Sequence, residues 1–234
     1  MSFGQIIQTA VTSGVSNGAG LISLAFGSAA VGNGHLIVGA VSYDDSATTL
    51  IVTDDKSNTY TVVNTNDDTT NTQKLSTFWL PIANNGPRTV TCTISGLPAS
   101  SAYMALGEYD AAGVAATLNA HAINLQLAAG TTLTSGSAAV SKTGCLVWGV
   151  TSDQAGLVTT VSAGSGFTIR ANQAVQTAYN FATEDLIQAT TSAAAATFTL
   201  AAGGANWATA MLVIAQGTSA RPFPLPLTYA TMGV

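Results

Sequence analysis

Apolar residues alternate with hydroxyl and amide residues along most of the chain, and β-branched runs recur between clusters of turn formers. A period of two puts alternate side chains on opposite faces of a strand. It predicts strands over 5–11, 20–26, 35–43, 59–64, 74–82, 89–95 and 103–109, and again over 119–127, 145–151, 159–162, 168–170, 175–181, 197–201 and 208–216. Between them lie SNGAG, GNG, YDDSA, DDKSN, TNDDTTN, NNGP, AGSG and AAGG, rich in the residues that tight turns require. TSAAAAT at 191–197 has helical composition but is too short to stand alone as a helix. Short strands at near-regular spacing predict an all-β fold, a sandwich or barrel.

A repeat organises these strands. GSAAV occurs at 27–31 and again at 136–140, each time followed by a loop and Gly-x-Leu-(Ile/Val)-x-Gly, at 34–39 and 144–149. Later segments correspond in the same order: KLSTFWLPI with VQTAYNFAT, TVTCTISG with ATFTLAAG, SAYMALGEYDA with NWATAMLVIAQ. Two half-motifs can build two small domains or interleave in one. The junction YDAAGVAATLNA holds no Pro and no charge-rich hinge, which favours a single antiparallel sandwich over residues 1–216, made of pseudo-repeats at about 5–111 and 117–216. Within the repeat, His35 in one copy stands where Cys145 stands in the other. That swap argues for a shared packing slot, not shared chemistry.

The segments GHLIVGAVSY, VTDDKSNTYTVV, LSTFWLPIANNGPRTVTCTISG and ALGEYDA carry a resemblance. Gly34, Leu36, Val52-Thr53-Asp54, Asn58, Tyr60, Trp79, Glu108 and Tyr109 match the pattern of a jelly-roll-like domain found in tailed-bacteriophage virion proteins and bacterial surface proteins. His35 stands where that family usually has Asp, and Ser57 where it has Gly. In the second half AGSGFTIR resembles the same family, followed by TED, read as a loop acid. The resemblance spans about residues 5–216. It implies a jelly-roll-type sandwich and, in function, a virion component: a capsid decoration or accessory protein, or a fibre or tail component. Fold likeness alone does not specify function.

Composition narrows the field. Charged residues are 7% of the chain, against a usual value of about 25%, so the surface is solvated by hydroxyls and amides. Six Lys and Arg are scattered along a chain of net charge −5, without the basic patch that phosphate backbones require, so no nucleic-acid partner is expected. No run of about 18 apolar residues occurs, and no membrane span is expected. The N-terminus lacks the basic and apolar regions of a secretory signal. Cys92 and Cys145 each lie in a strand-like run, where a free Cys behaves as a small buried hydrophobe; one disulfide between them is the alternative.

Candidate chemistry is sparse. Asp44-Asp45, Asp54-Asp55 and Asp67-Asp68 are hard oxygen ligands that could hold Ca²⁺, against the plainer reading that Asp caps turns. The same pairs could supply glycosidase carboxylates only from opposite walls of a cleft. GVSNG at 14–18 matches Gly-x-Ser-x-Gly, but a nucleophile elbow needs a helix after it, and another strand follows, so Ser16 reads as a turn residue. His121 reads as a structural histidine. The aromatics could line a sugar-binding face but mostly belong to a core, with Trp79 and Trp148 pointing inward. No catalytic constellation stands out, and an enzyme is not expected. The last segment, GTSARPFPLPLTYATMGV, alternates Pro222, Pro224 and Pro226 with apolar residues, which cannot form a central strand. It reads as an extended, stiff C-terminal arm over 217–234 that docks onto a neighbouring subunit through Arg221, Phe223, Leu225, Leu227 and Tyr229. The expected partners are copies of the chain and other virion proteins, with a host-surface glycan as the partner in the alternative reading of a carbohydrate-binding module or adhesin.

Overall fold

The computed structural model describes residues 2–12, 20–27, 29–68, 73–84, 86–96, 102–153, 159–175 and 179–218. It is all-β. Its strands, in chain order, are β1 (Ile6–Thr12), β2 (Leu21–Ala25), β3 (His35–Asp44), β4 (Thr49–Asp54), β5 (Thr61–Asp68), β6 (Gln73–Leu80), β7 (Thr89–Ser95), β8 (Tyr103–Asp110), β9 (Thr117–Gln126), β10 (Gly130–Thr134), β11 (Cys145–Asp153), β12 (Val161–Ala163), β13 (Thr168–Val175), β14 (Tyr179–Gln188), β15 (Thr197–Gly204) and β16 (Trp207–Ala215).

The strands form four antiparallel sheets. In the first half they run β1-β8-β3-β6-β5 and β2-β7-β4; in the second, β13-β14-β11-β16-β9 and β10-β15-β12. Adding eight to each strand number of the first half reproduces the second. No sheet draws strands from both halves. Each half pairs a five-stranded with a three-stranded sheet over apolar residues of its own. The physical reason is strand alternation. Strands of a three-stranded sheet such as β7 bury Val90, Cys92 and Ile94 on one face and leave the other to solvent, which suffices to close a core within one half.

Three apolar clusters follow. The first lies inside the first half, around Phe26, Ile37, Val41, Phe78, Val90 and Met104. The third lies inside the second half, around Val147, Phe198, Trp207, Met211 and Val213. The second lies between the two five-stranded sheets, where Leu36, Val38 and Trp79 meet Leu146, Trp148 and Leu212. Both faces of each five-stranded sheet are thus covered, and β3, β8, β11 and β16 are buried along nearly their whole lengths. Strands buried on both faces read as continuous apolar runs, as HLIVGAV, CLVWGV and WATAMLVIA do.

Across this middle layer β1 lies against β13 and β5 against β9, β6 against β16, and β3 against β11. Tyr109 of β8 donates to Asp185 of β14 at 2.7 Å. Each of these contacts has its counterpart when the two halves are exchanged, the arrangement of an isologous interface.

Several sequence readings change here. β4 and β10, missed by alternation, are edge strands of the three-stranded sheets. The strand expected at 175–181 straddles two strands, since β13 ends at Val175 and β14 begins at Tyr179. Thr183, Glu184 and Asp185, read as a loop acid, lie within β14 and are buried.

Candidate functional site

Most interior polar groups fasten strands and turns. Asp54, at the end of β4, accepts backbone N–H bonds from Lys56 and Asn58 at 2.9 and 3.0 Å through Oδ1. Its Oδ2 accepts from Asn58 Nδ2 and from the Tyr60 hydroxyl, at 2.9 and 3.2 Å. The turn DDKSN is an Asx-type cap in which Ser57 takes φ 62°. Asp55 Oδ1 accepts from the N–H groups of Arg88 and Thr89 at 2.8 and 3.3 Å. Desolvation pushes its carboxyl up, but those bonds and nearby Lys56 together outweigh it and hold the carboxyl below the usual range. Asp44 Oδ1 accepts from Ser46 N–H at 2.9 Å.

Asp44 and Asp68 flank Gln73, and Asp67 faces Lys74, at one end of the sheet. There the Lys74 ammonium donates to the carbonyls of Asp45 and Ala47 at 2.7 and 3.0 Å and lies 3.3 Å from Asp67 Oδ2. A side-chain cation is already seated among these oxygens. Asp54 and Asp55 sit beside the start of β7, away from that group. The three pairs do not converge, and among the described residues no cluster of three or more His, Cys, Asp or Glu is placed to hold a metal ion.

Among the described residues, the large aromatics do not form a sugar-stacking platform. Tyr60, Phe78, Trp79, Tyr103, Tyr109, Trp148, Phe181 and Trp207 are all buried, with Trp79 and Trp148 in the middle layer as expected. Cys92 and Cys145 are free thiols in the cores of different halves, and burial pushes both thiols up. His121 Nδ1 lies 2.6 Å from Asn64 Oδ1, and Asn64 Nδ2 reaches the carbonyls of Ala122 and Met211 at 3.4 and 3.3 Å. That set ties the halves together. Ser16 and the arm residues Arg221, Phe223, Leu225, Leu227 and Tyr229 lie outside the described residues.

One polar cluster opens to solvent. Glu108, on β8, is 1% exposed. Its Oε1 lies 2.5 Å from His35 Nδ1 and accepts the Gly32 N–H at 2.9 Å. Its Oε2 accepts from Gln8 Nε2 at 2.5 Å, and the same Gln8 nitrogen reaches the Ala29 carbonyl at 3.2 Å. The carboxylate therefore pins the loop that leads into β3. A Cβ on Gly32 would fall 2.4 Å from His35 Cε1, so the bare glycine backbone makes room for the ring. Ile7, Gln8, Ala29, Ala30, Gly32, His35 and Glu108 line a pocket of about 260 Å³. Nδ1 faces the carboxylate, and Nε2 is the ring nitrogen turned away from it.

Sequence reasoning singled out His35 but missed Gln8 and Glu108 as its partners. A glutamate inside YMALGEYD was the available signal: a carboxylate in so apolar a run needs a partner. Its partner is far along the chain, and pairing of β3 with β8 and β1 with β8 brings the three together. Comparison of the chain with family models, with curated proteins and with solved structures finds no match.

Proposed function

We propose that the chain is a structural protein of a bacteriophage virion, a capsid decoration or accessory protein or a fibre protein, acting by subunit–subunit assembly. The observation that carries this reading is the strand pairing. In each half the outer strands wrap onto one another: β1 with β8, β2 with β7 and β3 with β6, and correspondingly β9 with β16, β10 with β15 and β11 with β14. In the first half Thr53 and Thr59 add an isolated bridge where β4 turns toward β5. Such pairing supports the jelly-roll reading that the resemblance of the sequence implies. The capped Asp turns and the buried ties between halves suit a rigid building block. The outer faces of the three-stranded sheets carry Ser23, Thr91 and Thr93, with Thr132, Ser162 and Thr199 at the other end, surfaces that can meet a neighbour without desolvating charge.

In this reading the segment 217–234 docks on a neighbouring copy or on another virion protein, and homo-oligomers form. Sedimentation of the full chain and of a chain ending at residue 218 tests it. The full chain is expected to sediment as an oligomer, and the shortened one as a folded monomer that no longer joins particles. A full chain that stays monomeric, and is missing from purified particles by antibody labelling, overturns it.

A further inference from the structure

The first half carries a polar trio where the second carries an apolar one. Ile37 faces Glu108 as Val147 faces Val213, and Gln8 faces Glu108 as Ala120 faces Val213. His35 and Cys145 each stand two residues before those reference positions. Gln8, His35 and Glu108 thus correspond to Ala120, Cys145 and Val213, which pack in the third core. The second half closes this corner with no carboxylate at all. Burying Glu108 is costly, and the architecture does not demand it.

The acceptors in this corner are spread out. His35 turns Nδ1 to Glu108, so Nε2 lies on the far side of the ring from the carboxylate, and one metal ion cannot bind both. Gln8 Oε1 is buried with no hydrogen-bond partner among the described residues. Glu108 Oε2 takes one donor, Gln8 Nε2, and has a further lone pair. Ile7, Ala29 and Ala30 supply apolar wall. The volume of about 260 Å³ falls below the roughly 300–1,000 Å³ of drug-sized pockets. A fitting ligand has several hydroxyl donors set a few bonds apart on a small carbon frame.

We propose that this pocket binds a small neutral polyol of monosaccharide size, as a free sugar or as the terminal residue of a glycan. Hydroxyls donate to Glu108 Oε2 and hydrogen-bond to His35 Nε2, while Gln8 positions the carboxylate from behind, and the C–H face of the ring lies on Ile7, Ala29 and Ala30. This site does not depend on the assembly reading, since it needs no neighbouring subunit.

The chain has two histidines, so the imidazole NMR signals of nitrogen-labelled protein report the pocket through His35 and a reference through His121 on β9. Titration with hexoses and their methyl glycosides is expected to move the His35 signals saturably, with Kd of about 1–10 mM, and to leave His121 in place. Glu108→Gln should weaken binding at least tenfold with the His121 signals unchanged. The triple variant Gln8→Ala, His35→Cys, Glu108→Val, which copies the second half, should abolish retention on immobilised glycans. Retention of the parent chain on those glycans identifies a glycan terminus as the source, and a response to free hexose alone identifies the free sugar. The proposal is overturned by no saturable shift up to about 100 mM, by equal movement of both histidines, by unchanged affinity in Glu108→Gln, or by a response to methylammonium without one to sugars.

Discussion

Asp54 and Glu184 are both buried carboxylates, held in different surroundings. Asp54 accepts four hydrogen bonds from the turn it caps, one of them from the Tyr60 hydroxyl. Asp54→Ala leaves that hydroxyl and two backbone N–H groups without their acceptor, and should destabilise the fold by about 2–3 kcal/mol in urea titration. Glu184 accepts the N–H groups of Gly164 and Thr197 at 2.8 and 3.0 Å, yet burial dominates and pushes its carboxyl up to about 7. The native state therefore holds this proton more tightly than the unfolded chain does. Stability from this group is fully present below the ordinary value of 4.5 and is lost as pH rises through about 7. The loss is up to about 3 kcal/mol. Unfolding free energies measured from pH 4.5 to 7.5 should fall more steeply for the parent chain than for Glu184→Gln, which has no titrating group there. The Asp54 turn was legible in DDKSN because its bonds are local. Glu184 was not, because its environment comes from β11, β12 and β15, strands that sequence order does not reveal as its neighbours.

The repeated Gly-x-Leu-(Ile/Val)-x-Gly phrase has a physical basis in the strands it opens. Gly34 and Gly144 take φ of 81° and 72°, a left-handed turn into β3 and β11 that suits glycine. Gly39 and Gly149 lie in mid-strand beneath close neighbours. A Cβ at Gly39 would fall 2.4 Å from Phe78 Cε2, and one at Gly149 would fall 2.5 Å from Ala196 Cβ. Gly39→Ala and Gly149→Ala should each cost about 1–3 kcal/mol by overpacking, read as lowered thermal midpoints. Long central strands were legible because both faces are apolar over many residues. β4 and β10 were not: Thr49–Asp54 and Gly130–Thr134 are short, half-solvated edges, whose pairing with β7 and β15 supplies what their sequence lacks.

Exchange of the two halves maps β1 against β13 onto β9 against β5 and β3 against β11 onto itself, so each half presents a similar face to the other. Separated, a half would expose Leu36, Val38 and Trp79, or Leu146, Trp148 and Leu212, an apolar patch of the sort that drives association. A chain ending at residue 115 should therefore behave as a homodimer or aggregate in light scattering and not as a monomer, and the intact chain should unfold in one transition. Tyr109 with Asp185, and Asn64 with His121 and the Met211 carbonyl, orient that packing through hydrogen bonds between the halves. By itself the sequence determined the all-β class, most of the strands, the Asp-capped turns and the existence of a repeat, because alternation and turn chemistry act over a few neighbouring residues. Tertiary structure alone decided that each half pairs a five-stranded with a three-stranded sheet, that the two five-stranded sheets share a core, and that Gln8, His35 and Glu108 meet in one pocket. Those outcomes depend on which strands pair across a hundred residues of chain, and period-two alternation is the same whichever partner a strand chooses.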